Sequence, residues 1–275
     1  MRYQLIVFDM DGTLLDGAKR VLPSSVAAIG RAQAAGRVVA IGSGRCPGMV
    51  EHHRRELPGV RYAICSSGAT LYDLAERRVL SRHSIEPSLI ARLRELAAGT
   101  DFSPDAFSGR DFYYPTADLE ELAGYGTGAY VELFREAGIG VDDVWETILG
   151  PGVAIEKIDL HFSNLADRDV VRDRIQAEHL ALELAYSDST TLEVSPGGVN
   201  KGTGLAALAG LLGVPMEATI AVGDSNNDLP MLAVAGLAVG MGNANARVRE
   251  AAGVLVADNN HDGCAEAIDR YLLAG

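Results

Sequence analysis

The strongest constraint on this chain is a strand-and-helix rhythm that runs at both ends and breaks in the middle. Leu5-Ile6-Val7-Phe8 is a continuous apolar run cut off by Asp9-Met10-Asp11-Gly12, the pattern of a strand buried on both faces. Ser24 or Ser25 can cap a helix that continues through Ala35, with Gly36 as its stop. Arg37–Ile41 is a second buried strand ending in Gly42-Ser43-Gly44-Arg45. A helix from about Pro47 to Leu57 closes at Pro58-Gly59, and Tyr62–Cys65 is a third strand ending in Ser66-Ser67-Gly68. After Ser195-Pro196-Gly197-Gly198 the rhythm returns. Lys201–Leu212 reads as a helix, Ala218–Val222 as a buried strand and Leu229–Ala235 as a helix. Leu237–Gly240 and Val254–Val256 read as strands, and Gly263–Leu273 as a final helix. Such alternation with short loops builds an α/β fold: a doubly wound, Rossmann-like parallel sheet with helices on both faces.

Between about His83 and Val194 the pattern is more polar and less regular. Phe112-Tyr113-Tyr114-Pro115 and Gly124-Tyr125-Gly126-Thr127-Gly128 read as loops, and Ile155–Phe162 alternates like a half-exposed strand. A helix from about Ala166 to His179 and strand-like runs near Leu182–Tyr186 and Thr190–Val194 follow. The expected architecture is a core made from residues 1–82 and 196–275, with an α+β module of residues 83–195 inserted between them.

Composition narrows the function. The chain has 275 residues, enough for a large core without metal or disulfide staples. With 24 Lys+Arg against 37 Asp+Glu, the net charge of −13 argues against a nucleic-acid or anionic-membrane partner, because the overall field repels polyanions. The three cysteines, Cys46, Cys65 and Cys264, form no CxxC, so neither a disulfide framework nor a zinc knuckle is indicated. No apolar run has the length of a signal peptide or a membrane span, and the expected compartment is the cytosol.

In an open parallel sheet, ligands sit beyond the carboxyl ends of the strands. The residues there are Asp9 and Asp11 after the first strand and Ser43-Gly44-Arg45 after the second. Gly223-Asp224-Ser225-Asn226-Asn227-Asp228 follows the strand ending at Val222. Four carboxylates converging on one rim repel one another severely. A hard cation such as Mg²⁺, with oxygen ligands and room for a phosphate, is the natural compensation. Lys201, at a helix start, adds a fixed positive charge. Each acid alone could be a turn former or cap; a structural account does not readily supply all of these on one rim.

Asp9-Met10-Asp11-Gly12-Thr13-Leu14-Leu15, Ser43-Gly44-Arg45, Asn200-Lys201-Gly202 and Gly223-Asp224-Ser225-Asn226-Asn227-Asp228 together resemble the four ordered motifs of the haloacid dehalogenase superfamily. More narrowly they resemble its Cof-type phosphatases, which carry a large α/β cap (type 2, subtype B) between the second and third motifs. Glu193–Gly202, Asn243-Ala244 and Asn260-His261-Asp262-Gly263 are similar to further signatures of that group. Ser43 stands where the group usually has Thr and supplies the same hydroxyl. Ser67-Gly68 stands where it usually has Asn-Gly, with a shorter side chain and no amide donor.

The resemblance implies an aspartyl-phosphate route. Asp9 would be the nucleophile, and Asp11 would protonate the leaving oxygen and then deprotonate water. Mg²⁺ would be held by Asp9, the Asp11 carbonyl and Asp224, with Asp228 as ligand or orienter. Ser43, Gly44, Lys201 and amides after Asp9 would hold phosphoryl oxygens, with Asn227 a further phosphate or metal-water contact. Arg45 would either orient the acidic turn or touch phosphate. Gly12 would let the backbone approach the phosphate or would equally serve a turn. His52-His53 reads as a solvated pair. His161 and Asp188 could face substrate but read more simply as packed or exposed polar residues, Tyr113-Tyr114 reads as core of the insert, and nothing marks Cys46 as a reactive thiolate.

The expected protein is a Mg²⁺-dependent phosphatase of small phosphorylated metabolites, sugar phosphates first and flavin or pyridoxal phosphates next, acting as a monomer or homodimer. The rival readings are a phosphosugar mutase on the same scaffold and a non-catalytic phosphometabolite-binding protein.

Overall fold

The computed structural model describes residues 3–118, 125, 131–186 and 189–274. Fourteen strands are present among them. β1 (Leu5–Phe8), β2 (Val38–Gly42), β3 (Tyr62–Cys65), β4 (Thr70–Asp73) and β5 (Arg78–Arg82) come first. β6 (Phe102–Ser108), β7 (Asp111–Pro115), β8 (Ile139–Val141), β9 (Lys157–Phe162), β10 (Leu182–Ala185) and β11 (Thr191–Pro196) follow. β12 (Thr219–Gly223), β13 (Leu237–Gly240) and β14 (Val254–Leu255) complete the set.

They form an eight-stranded sheet in the order β14-β13-β12-β1-β2-β3-β4-β5 and a six-stranded sheet in the order β10-β11-β9-β6-β7-β8. The first is parallel from β14 to β3 and antiparallel beyond it. β1 lies between β2 and β12, with Leu5 opposite both Val38 and Thr219. The chain winds away from β1 on one side and returns on the other, so the loops after β1, β2 and β12 open around one crevice. The second sheet is antiparallel except for its β7–β8 pair.

Each sheet has its own apolar cluster. Leu5–Phe8, wholly buried, centre the first, and Ile158, Leu160 and Phe162 of β9 centre the second. A third cluster joins the two units: Cys46 and Met49 of the first pack with Phe107, Phe112, Tyr114 and Phe134 of the second. No described helix is long and apolar enough to cross a membrane.

The structure corrects several local expectations. Phe112–Pro115 is not a loop but most of β7, because Phe112 and Tyr114 alternate into the joining cluster. Of the Gly124–Gly128 stretch only Tyr125 is among the described residues; its hydroxyl donates to Asp101 at 3.0 Å. The first helix starts at Pro23 without a side-chain cap, and the Ser24 hydroxyl instead donates to Asp262 at 2.5 Å. The helix at Pro47 ends at His52, with a 3₁₀ turn over Arg54–Glu56. β9 is buried along its whole length rather than half-exposed. Its polar face, Lys157, Asp159 and His161, turns toward the first sheet's crevice instead of water.

Candidate active site

The loop after β1 folds back on itself. The Leu14 amide donates to the Asp9 carbonyl and the Leu15 amide to that of Met10, at 3.1 and 2.9 Å. Gly12 makes this possible: its φ is +81°, and a Cβ there would lie 2.5 Å from Asp224 Oδ2. The loop therefore carries Asp9 and Asp11 to the crevice and presses its backbone against the acid that follows β12.

Lys201 is presented by its helix start. The Asn200 side chain accepts from the Gly202 and Thr203 amides at 3.0 and 3.1 Å, and Thr203 Oγ1 accepts from the Asn200 amide at 3.0 Å. This capping box fixes the first turn. The buried Lys201 ammonium donates to Asp9 Oδ1 at 2.6 Å and to Asp228 Oδ1 at 2.7 Å. Asp228 Oδ2 accepts from the Asp224 and Ser225 amides at 2.9 and 3.0 Å. Both of its oxygens are thus engaged, and it orients the turn that holds Asp224. Thr13 Oγ1 donates to Asp224 Oδ1 at 2.9 Å and Ser225 Oγ to Oδ2 at 3.1 Å.

These positions set the electrostatics. Burial pushes the Asp9 carboxyl well above its ordinary range; Lys201 works against this, while Asp228 and Asp224 add to it. Burial, with Asp228 beside it, pushes Asp224 up to about 6. Against its own burial, Lys201 is held above the usual lysine range by Asp228 and Asp9. One ammonium among two buried carboxylates and one partly buried leaves negative charge uncompensated. Asp9, Asp224 and Asp228 offer carboxylate oxygens within 4.8 Å of one another, a hard-donor set that fits a divalent cation.

Asp11 is placed differently. Arg45 grips it in a two-pronged contact, Nε to Oδ2 and Nη2 to Oδ1, both at 2.8 Å, and Lys19 donates to Oδ1 at 2.6 Å. Against the cost of burial, Arg45 and then Lys19 hold this carboxyl well below the usual range. Arg45 thus contacts the acidic turn. Arg45 Nη1 also donates to His53 Nε2 at 3.1 Å. A guanidinium can only donate, so Nε2 accepts and Nδ1 carries the proton toward Glu56 at 3.1 Å. His53 is buried, not solvated. Desolvation and the Arg45 charge lower its pKa, and it is neutral. His52, by contrast, is half exposed and faces Glu136 at 3.4 Å.

Ser43 and Gly44 follow β2 on the same rim, where Ser43 Oγ accepts from the Arg45 amide at 3.2 Å. Asp9, Asp11, Ser43, Gly44, Arg45 and Asn227 all line one cleft of about 790 Å³, part of it open to solvent, which lies between the two sheets. Its opposite wall comes from the second sheet. Glu193 of β11 accepts from Ser67 Oγ and from Asn227 Nδ2, the latter at 3.3 Å. Lys157 donates to Asp159 at 2.7 Å and sits 3.8 Å from Glu193. His161 lies 3.3 Å from Asp105 and 2.9 Å from Thr191 Oγ1. The sequence reading singled out neither Glu193, Lys157, Asp159 nor Asp105 for a role. The usable signal was the period-two polar pattern Lys157, Asp159, His161 and its counterpart Thr191, Glu193, Ser195. Cys46 is buried and its thiol is pushed up to about 12 by desolvation, which leaves it unreactive. Asp188 lies outside the described residues.

A family model for haloacid dehalogenase-like hydrolases matches residues 6–268. The chain is 29% identical to pyridoxal phosphate phosphatase YbhA of Escherichia coli K12, over 99% of this chain and 100% of that one. It is 30% identical to the putative phosphatase YxeH of Bacillus subtilis 168, over 99% of each. Its fold superposes with a TM-score of 0.85 on a haloacid dehalogenase-like hydrolase from B. subtilis at 24% identity, over 98% of this chain and 100% of that one.

Proposed function

We propose that this chain, which belongs to the haloacid dehalogenase-like hydrolases and is a phosphatase of the Cof type, cleaves phosphate monoesters of small metabolites through a phosphoryl group carried on Asp9. The observation that carries this reading is the 2.6 Å contact of the buried Lys201 ammonium with Asp9, which lines the cleft together with Asp11.

Lys201 engages Asp9 Oδ1 and leaves Oδ2 to attack phosphorus, forming an O–P bond as the ester P–O bond breaks. A Mg²⁺ ion held by Asp9, Asp224 and the Asp11 carbonyl would neutralise charge between the carboxylate and the incoming phosphate. Lys201, the Ser43 hydroxyl and the amides of the Asp9 loop and Gly44 hold the equatorial oxygens, and Asn227 flanks them. Asp11 protonates the leaving oxygen and then deprotonates the attacking water. Arg45 and Lys19 keep it as the carboxylate, the form that takes a proton from water in the second step. For the first step it must hold a proton. A phosphate dianion beside it favours that form by opposing the carboxylate and competing for Lys19 and Arg45.

Residues 83–195 form the cap, which closes over the cleft, excludes water and reads the leaving group. Such a lid suits small substrates, sugar phosphates first, with cofactor phosphates such as the one that names the E. coli relative next. The enzyme works in the cytosol as a monomer or homodimer, and its net charge of −13 supports the absence of a nucleic-acid partner.

The test is phosphate release from sugar, nucleotide and cofactor phosphates, with Mg²⁺ or EDTA, by wild type and Asp9→Asn. Metal-dependent release lost in the variant is expected. Undiminished turnover by Asp9→Asn would remove Asp9 as nucleophile.

A further inference from the structure

We infer that Asp105 and Asp159 make this enzyme select phosphate esters whose leaving group carries a protonated amine. The inference rests on the phosphatase reading and goes beyond it to the substrate class.

The cap's cleft wall contains an unusual row. Strand register sets Asp105 of β6 directly opposite Asp159 of β9, and Asp159 directly opposite Glu193 of β11. Three carboxylates thus stand side by side across three adjacent strands, all buried and all lining the cleft that holds Asp9. Like charges directly opposite each other destabilise a sheet, so a row of three needs a reason other than folding. Among the described residues, the ammonium within 4 Å of the row is Lys157, 2.7 Å from Asp159 and 3.8 Å from Glu193. His161 lies beside Asp105 and adds a full charge only when protonated. With His161 neutral and all three carboxylates ionised, the row would carry two more negative charges than positive ones.

Two of its oxygens show where a ligand would bind. Asp105 Oδ1 and Asp159 Oδ1 are fully buried and, among the described residues, no hydrogen-bond donor reaches either. Desolvated acceptors of this kind are costly unless something donates to them. The same imbalance pushes the Asp159 carboxyl up to about 8, through burial first and then Asp105 and Glu193, against Lys157. A leaving group with an ammonium supplies both missing quantities, donors and positive charge. A hydroxyl supplies donors only, and a carboxylate is repelled.

The experiment compares leaving groups that differ at one position: pyridoxamine against pyridoxine 5′-phosphate, and glucosamine against glucose 6-phosphate. p-Nitrophenyl phosphate serves as a general substrate. In wild type, kcat/KM is expected to favour the amine by roughly 10- to 100-fold in the scaffold the cleft accepts, the range of one charge-assisted hydrogen bond. Asp105→Asn and Asp159→Asn, which keep shape and remove charge, should bring that ratio toward one, mainly through KM. Should either variant fail to fold, the wild-type ratio alone decides. Cleavage of p-nitrophenyl phosphate with no amine preference in either pair overturns the inference and leaves the phosphatase reading standing. Amine preference unchanged in both folded variants also overturns it. Cleavage of nothing, with Mg²⁺ present, overturns both.

Discussion

Replacing Lys201 by methionine tests the account of the buried ammonium behind Asp9. Lys201 is 1% exposed and gives hydrogen bonds of 2.6 and 2.7 Å to Asp9 and Asp228. Methionine keeps most of the stem and removes the charge. Two hydrogen bonds to charged groups contribute about 1.5–3 kcal/mol each. Breaking a buried ion pair costs about 3–5 kcal/mol. Both routes lead to a loss of ~3–5 kcal/mol in metal-free protein at neutral pH. At roughly 2–4 °C per kcal/mol for chains near this size, Tm should fall by ~6–20 °C. The pH dependence is the sharper part. Burial already raises the Asp9 and Asp224 carboxyls, and without Lys201 they rise further. A carboxyl that keeps its proton when folded and loses it when unfolded makes the native state bind more protons. Stability then falls as pH rises, by about 1.4 kcal/mol per unit for each such group. The variant's deficit should therefore be larger at pH 8 than at pH 5, and Mg²⁺ should recover part of it at pH 8. Thermal unfolding followed by circular dichroism at pH 5, 6.5 and 8, in EDTA and in Mg²⁺, reads all of this. A variant as stable as wild type at pH 8 in EDTA, or a deficit that does not change with pH, would refute the reasoning.

Three further outcomes follow from the same geometry. Gly12→Ala meets both a φ of +81° and a Cβ 2.5 Å from Asp224 Oδ2, so it should displace Asp224 and lower kcat by ~100-fold or more, with weaker Mg²⁺ binding by calorimetry. Arg45→Met releases the Asp11 carboxyl from its main cationic partner, so its pKa rises toward the ordinary ~4. Because the base form exists above that pKa, the acid limb of the kcat profile should move to higher pH; an unmoved limb would mean that Asp11 does not set it. The three cysteines are buried, and burial raises the thiol pKa of each. A thiol reagent at pH 8 should therefore label none in the native protein and all three in guanidinium.

How much of this was legible in the sequence depended on where each strand's polar face points. Leu5–Phe8 is wholly apolar, Thr219–Gly223 is apolar after its first residue, and each is followed at once by an acid, so the two announce both the sheet and its rim. The capping box that presents Lys201 is likewise local and readable, Asn200 with Thr203 three residues on. The cap hides its logic. β6 carries Pro104 and Asp105, which argue against a strand, yet it pairs on both sides because its polar face meets a second protein surface and not solvent. The same inversion made Ile155–Phe162 read as half-exposed. His53 was misread for a related reason. A short helix gives no clear periodicity, and the pairing that buries His53 depends on Arg45 and Glu56, which meet only through tertiary structure. Register was beyond reach as well, so nothing local could show that Asp105, Asp159 and Glu193 stand abreast.

The short passage from β11 to the helix at Lys201 bears on heredity. Glu193 belongs to the wall of the cleft and Lys201 to the buried floor behind Asp9, and Gly197–Asn200 are all that separates strand from helix, with the Gly197 amide tied to the Ala181 carbonyl at 2.9 Å. Wall and floor are therefore neighbours along the gene. A crossover that exchanged the inserted segment with a relative's would need its downstream boundary inside those four residues to bring a whole new wall and spare the floor. Elsewhere in that stretch it yields a chimera with a mixed wall or a disturbed capping box. The lineage is then expected to change its tastes by point substitution within β6, β9 and β11 more often than by wholesale replacement of the lid.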